Sequence, residues 1–175
     1  MFRKTVVVLF AMLVPALAFA QAKGAPGTAT ILGAGHVKYL AQDYEGALKK
    51  YEEARDKDSG QPIVYYFAGC ALAKLKRWDD ALSQFRTAAT IAGVKDESMH
   101  ARAFFIAAVT LELKGDLAGA KSAWEDYLAY AQAHEKAVIY PNSARERISA
   151  IEKKLKLDED YKIVVERIKK NEGGQ

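Results

Sequence analysis

Small and aromatic residues return along this chain in a fixed order. Gly35, Tyr44, Ala47, Tyr51 and Ala54 are answered 34 positions later by Gly69, Trp78, Ala81, Phe85 and Ala88. The strings around them, QDYEGALKKYEEA (42–54) and KRWDDALSQFRTA (76–88), share one register. The pattern predicts helices over Thr28 to Ala41, Pro62 to Leu75 and Glu97 to Lys114, alternating with helices over Tyr44 to Asp56, Trp78 to Ala92 and Leu117 to Ala133. Pro62 sits near a helix start, where its missing N–H costs nothing. Gly60 and Gly93 lie just past helix ends, where chains commonly turn.

A third copy follows with altered spacing. In LKGDLAGAKSAWEDY (113–127), Ala120 aligns with Ala81 and Trp124 with Phe85, both 39 positions on. The five extra residues are expected in the connection Ala92 to Ser98, with Gly115 and Asp116 forming the internal turn. Ala108 stands where the earlier copies have glycine, and Tyr127 where they have alanine. The physical sense of the order is close helix approach. A glycine or alanine in one helix leaves room for an aromatic ring of the other, and burying that ring is worth on the order of 2–3 kcal/mol.

This order resembles the tetratricopeptide repeat, whose period is 34 residues. The resemblance covers roughly 28–134. It implies an all-α fold, an antiparallel helix-pair solenoid of three repeats spanning 28–61, 62–95 and 96–134, the last a variant. One pair cannot bury its whole apolar face alone, so pairs stack and the ends need caps.

Beyond the repeats, Pro141-Asn142-Ser143 marks a break followed by a capping residue, so a helix is expected to start there. Ala144, Ile148, Ile151 and Leu155 give it one narrow apolar stripe. Asp158 is expected to cap a last helix carrying Tyr161, Val165 and Ile168 on one face. These C-terminal capping helices, 142–170, close the solenoid; the sharper alternative is that the final helix docks on a partner or a second copy. Residues 171–175 are expected to fray into a disordered tail.

The N-terminus reads as an address. Arg3 and Lys4 precede an unbroken run of apolar residues and proline from Val6 to Ala20, ending in Ala18-Phe19-Ala20. A charged start, an apolar middle and a small-x-small end are the parts of a secretory signal. A membrane-spanning helix needs about 20 apolar residues, and this run is shorter and interrupted by Pro15. The segment resembles bacterial Sec signals, with cleavage expected after Ala20 and a flexible leader at 21–27. That implies a periplasmic or secreted protein with no stable membrane span after cleavage.

Composition narrows the function. Without Arg3 and Lys4, 24 basic residues face 22 acidic ones, too balanced for nucleic-acid binding. Cys70 is the sole cysteine, so no intrachain disulfide forms; the thiol reads as a small buried residue. His36, His100 and His134 fall in different helices without metal-ligand spacing. Gly33-Ala34-Gly35 lacks the preceding strand and following Lys-Ser/Thr of a phosphate loop. No enzyme, metal site or cofactor is expected.

The resemblance also implies a ligand groove lined by the first helices. Its usual ligand-facing positions carry over as Leu32, His36 and Tyr39; Ile63, Tyr66, Cys70 and Lys74; and Arg102, Phe105, Val109 and Glu112. The Lys/Arg/Asn clamp with which some relatives hold C-terminal carboxylates is not reproduced, because Leu32 and Phe67 occupy its polar positions. The expected partner is an extended or helical apolar segment of another protein, held in a non-catalytic adaptor or scaffold of the bacterial envelope. The alternative is a structural, self-associating homo-oligomer that stacks through its terminal helices.

Overall fold

The structure, a computed structural model, describes residues 27–134, 137 and 140–172. The segment read as a signal, nearly all of the leader and the last three residues lie outside the described residues. The described chain forms seven helices and no strand: α1 (Thr28–Leu40), α2 (Tyr44–Lys57), α3 (Pro62–Lys74), α4 (Trp78–Ala92), α5 (Glu97–Lys114), α6 (Leu117–Ala133) and α7 (Pro141–Glu172). Each packs on the next in chain order, and α3 also meets α5. This is the all-α stack of antiparallel helix pairs that the repeat predicts.

The turn inside each pair is built three times the same way. At the end of α1, the Gln42 N–H donates to Tyr39 O and the Asp43 N–H to Lys38 O. Lys76 and Arg77 do the same onto Ala73 and Leu72, and Gly115 and Asp116 onto Glu112 and Leu111. This double bond satisfies the last carbonyls of each first helix. It puts Gln42, Lys76 and Gly115 in the left-handed region, at φ 62°, 60° and 87°. Only the third turn uses glycine, which adopts that conformation without steric cost. In the first and third turns the next residue at once caps the following helix, because Asp43 accepts from Gly46 N and Asp116 from Gly119 N, both at 2.9 Å.

Close approach within a pair follows from bare α-carbons. A Cβ at Gly35 would stand 2.5 Å from Tyr51 Cε1, and one at Gly69 would stand 2.5 Å from Phe85 Cε1. Tyr51 and Phe85 are 1% exposed, so the rings are spent on this contact. In the third pair Ala108 and Trp124 are both fully buried. The ring there is an indole, whose N–H donates to Glu112 Oε1 at 2.7 Å.

The helix predicted over Glu97 to Lys114 has those bounds, and the five extra residues fall mainly inside it, not in the connection Ala92 to Ser98 where they are expected. The links 58–61 and 93–96 are equally long, whereas α5 has 18 residues against 13 in α1 and α3. The added turn of α5 begins at Asp96, whose carboxylate caps the helix through Met99 N at 2.9 Å. It carries His100, which bonds Ala89 O through Nδ1 at 2.9 Å. The Tyr130 ring lies between His100 and His134, with centroids 4.6 and 4.0 Å away. His134 in turn faces Glu97 at 3.2 Å. Burial lowers the His100 pKa, against the Ala89 bond and with help from His134.

The C-terminal segment corrects the expectation of two capping helices. Residues 141–172 form one continuous helix of 32 residues, and Asp158 lies in its interior. No glycine or proline interrupts 142–172, and an interior aspartate costs under about 1 kcal/mol, too little to break a helix of Lys, Leu and Glu. Asn171 and Glu172, expected in the tail, are helical. The stripe Ala144, Ile148, Ile151 and Leu155 packs against the third pair, as a cap should.

Two outcomes are expected. Gly69→Ala should lower stability by about 1–2 kcal/mol in urea unfolding, because overpacking Phe85 outweighs the gain in helix propensity. Gly33→Ala, where nothing lies within 4 Å, should instead raise it by about 0.5–1 kcal/mol. For pH, the folded chain resists a proton on His100 that the unfolded chain accepts near its ordinary value of 6.5. Stability is therefore complete above pH 6.5 and falls as pH drops through 6.5 toward the lowered folded value. The thermal midpoint of His100→Asn should fall less between pH 7 and pH 5 than that of the parent.

Candidate binding groove

The first helices of the three pairs present equivalent residues along one face. Leu32, Tyr66 and Phe105 occupy one row, and His36, Cys70 and Val109 the next. Two hollows open there, and Tyr66 lines both. The first, about 330 Å³, is walled by His36, Tyr39, Leu40, Tyr51, Tyr66, Phe67 and Cys70. The second, about 180 Å³, is walled by Tyr66, Ala101, Arg102, Phe105, Ile106, Tyr127 and Tyr140.

The first hollow rests on a set of interlocked rings. His36 stands edge-on to Phe67 at 4.1 Å, and its Nδ1 shares a 2.8 Å hydrogen bond with the Tyr51 hydroxyl. Phe67 stacks on Tyr51 at 5.6 Å and meets Tyr66 edge-on at 5.5 Å. Such ring pairs are worth about 0.5–1.5 kcal/mol beyond their burial, so the floor is fixed before any ligand arrives. Burial pushes the Cys70 thiol up to about 12 and the Tyr66 hydroxyl up to about 12. Both stay protonated at neutral pH, which makes the thiol a poor nucleophile.

The second hollow takes its walls from three sources. Phe105 lies edge-on to Trp124 at 4.9 Å and to Tyr127 at 5.6 Å. Tyr127, the residue that replaces the repeat's alanine, is 1% exposed and accepts a hydrogen bond from Tyr140 N at 2.9 Å. That bond holds the segment entering α7 against the third pair and brings the Tyr140 ring to the rim. Arg102 stands exposed at the edge.

Of the expected groove residues, His36, Tyr39, Tyr66 and Cys70 meet in the first hollow, and Tyr66, Arg102 and Phe105 in the second. Leu32 packs into the cores of the first two pairs, Ile63 packs between them, and Lys74 is exposed outside both hollows. Val109 packs on the core of the third pair. Glu112 is committed elsewhere: one oxygen accepts from Trp124 Nε1 and the other from Arg147 of α7 at 2.9 Å. Tyr51, Phe67, Tyr127 and Tyr140 add further rings to the walls beside Leu40, Ala101 and Ile106, and none of these is among the expected groove residues. The first three had a signal, since each occupies a marked repeat position. Tyr140 had none, because its place depends on how the chain returns after α6.

A third hollow of about 240 Å³ lies between α4, α5 and α6, lined by Phe85, Phe104, Leu111 and Ala123 among others. Among the described residues, no group of three or more His, Cys, Asp or Glu side chains is placed to hold a metal ion. No described helix is long and apolar enough to cross a membrane.

No family model and no curated protein matches the sequence. Solved structures do. The first tetratricopeptide domain of Spaghetti (RPAP3), bound to the HSP90 peptide SRMEEVD, superposes with a TM-score of 0.57 at 18% identity, over 73% of this chain and 94% of that one. PcrH in complex with the chaperone-binding region of PopD gives 0.60 at 21%, over 72% and 91%. The Yersinia enterocolitica type III secretion translocator chaperone SycD gives 0.60 at 20%, over 73% and 85%. The fold is of the tetratricopeptide type.

The half-buried thiol of Cys70 gives a direct check on the first hollow. Alkylation of Cys70 by iodoacetamide at pH 8 should be about 1000-fold slower than that of an unstructured cysteine, since so little thiolate is present, and should reach the ordinary rate in 6 M guanidinium. Fast labelling of the folded chain would show that the thiol is not held in an apolar setting.

Proposed function

We propose that this chain is a non-catalytic binding module that holds an apolar segment of another protein across the face of α1, α3 and α5. One observation carries the reading: two ring-lined, largely apolar hollows meet at a single residue, Tyr66, on the face that equivalent residues of all three pairs share. An extended or helical segment that placed one apolar side chain in each hollow would bury rings already held in place. It would therefore incur little cost of ordering the receptor. The structures with this fold include one bound to an HSP90 peptide and one in complex with a region of PopD, so peptide capture is a known use of such a stack.

The chemistry of the ligand follows from the lining. Leu32 and Phe67 stand where a carboxylate clamp would need polar side chains, and Arg102 is the cation on the rim of the second hollow. An apolar segment suits these walls better than an acidic tail. The setting is the bacterial envelope: Arg3 and Lys4, the run Val6 to Ala20 and the triplet Ala18-Phe19-Ala20 support export and release after Ala20.

Selection from a displayed library of random peptides tests the groove. Binders enriched in apolar residues should emerge, and Tyr66→Ala with Phe105→Ala should weaken them at least about tenfold, as loss of central aromatic anchors does, with the helical circular-dichroism spectrum unchanged. Retention of full affinity in the folded double variant would place the binding surface elsewhere.

A further inference from the structure

The second half of α7 carries an apolar stripe that no other described element covers. The helix packs on the third pair through Ala144, Ile148, Ile151 and Leu155. Past that point Leu157, Tyr161, Val164 and Ile168 are 67%, 69%, 48% and 50% exposed. At about 100° per residue, this second set lies about 140° around the helix from the first. The stripe therefore faces away from the side that α7 uses to cap the solenoid. Its steps of 4, 3 and 4 residues are those of a two-stranded coiled-coil seam. Lys154 and Asn171 hold the next seam positions on either side, so the apolar stretch has polar ends.

We propose that this stripe pairs, antiparallel, with the same stripe of a second copy of the chain. Volume favours that direction. Antiparallel pairing sets Tyr161 against Val164 of the other copy and Leu157 against its Ile168, so every layer joins a large side chain to one that fits it. Parallel pairing would set Tyr161 on Tyr161 and Val164 on Val164, crowding one layer and leaving the next hollow. Charge gives that direction a specific mark. Asp160 and Arg167 flank the seam on the side that meets its own counterpart in an antiparallel pair. Each Asp160 then faces an Arg167 of the other copy, twice by symmetry. In a parallel pair Asp160 would face Val165, while Lys153 would face Asp158 and Arg167 would face Glu172, so volume selects the direction and the Asp160–Arg167 contact identifies it. The mixture of Asp and Arg beside the seam also fits a protein partner better than an anionic lipid surface, which calls for a cationic polar face.

Sedimentation equilibrium on the chain from Gln21 onward, which keeps every described residue, tests this pairing. A weak, concentration-dependent monomer–dimer equilibrium is expected for so short a seam. Asp160→Arg and Arg167→Asp should each weaken it about tenfold by turning both attractive pairs repulsive. The double variant Asp160→Arg/Arg167→Asp should restore it, because the pairs re-form with signs exchanged. These side chains are exposed, and circular dichroism checks that the variants keep their helices. A monomer at all concentrations overturns the proposal. So does a dimer indifferent to the single reversals, or one abolished by Tyr66→Ala, which would locate the contact in the groove.

Discussion

The spacing of each helix pair is set by a ring lying on a bare or nearly bare backbone. Tyr51 covers Gly35 and Phe85 covers Gly69 so closely that a β-carbon at either glycine would stand 2.5 Å from a ring atom. Two helices that approach this far bury the ring completely and bring their remaining apolar edges to a common outer face. That face must then be covered, and only another pair of the same shape covers it. The stack of α1 to α6 is thus a consequence of one local contact made repeatedly. The turn between the helices has to deliver the ring to the glycine, and the same two backbone bonds do so each time.

The third pair shows what happens when that contact is altered. With Ala108 in place of glycine, the ring becomes Trp124, whose indole N–H cannot be buried unpaired. Glu112 receives it, and the second oxygen of Glu112 takes Arg147 from α7. A change at the helix crossing therefore creates a polar tie to the capping helix, where a fourth repeat would otherwise stack. Tyr127 works toward the same end. Alanine at the corresponding sites of the first two pairs lets the next first helix lie close; tyrosine fills that space and offers a hydroxyl to Tyr140 N. The solenoid stops here because its last pair has residues that bind a different kind of neighbour.

The repeats were legible in the sequence because the ring and the small residue that accommodates it are distinctive types at fixed separations. The places where reading failed are those where different structures use the same residue types. An offset of 39 tells that five residues were added, but a longer helix and a longer loop both satisfy it; the observed α5 is longer because Asp96 caps it a turn early. Asp158 is as good a helix cap as it is a tolerable interior residue, and only the absence of a nearby glycine or proline decides for continuity. Groove positions read from the repeat located the central residues Tyr66 and Phe105. They misjudged Glu112, because a carboxylate on a first helix gives no sign that a tryptophan and an arginine from other helices will claim it. Tyr140 could not be found at all, since nothing local fixes the path between α6 and α7.

Tyr66 joins stability to binding in a way that constrains both. Its ring touches Phe67, which stacks on Tyr51, and lies 6.0 Å from Phe85, the ring that sets the second pair. The wall between the two hollows is therefore continuous with the contacts that hold α1 to α2 and α3 to α4. A groove built this way is rigid, since moving its central side chain disturbs two helix crossings, and rigidity favours ligands that already match its spacing. Selectivity would then come from the distance between the hollows more than from any polar group, because Arg102 is the only charged side chain in either wall. The free stripe of α7 differs in kind. It touches no crossing and lies on the side of its helix turned from the solenoid, so residues there can change without loosening the stack that supports the groove.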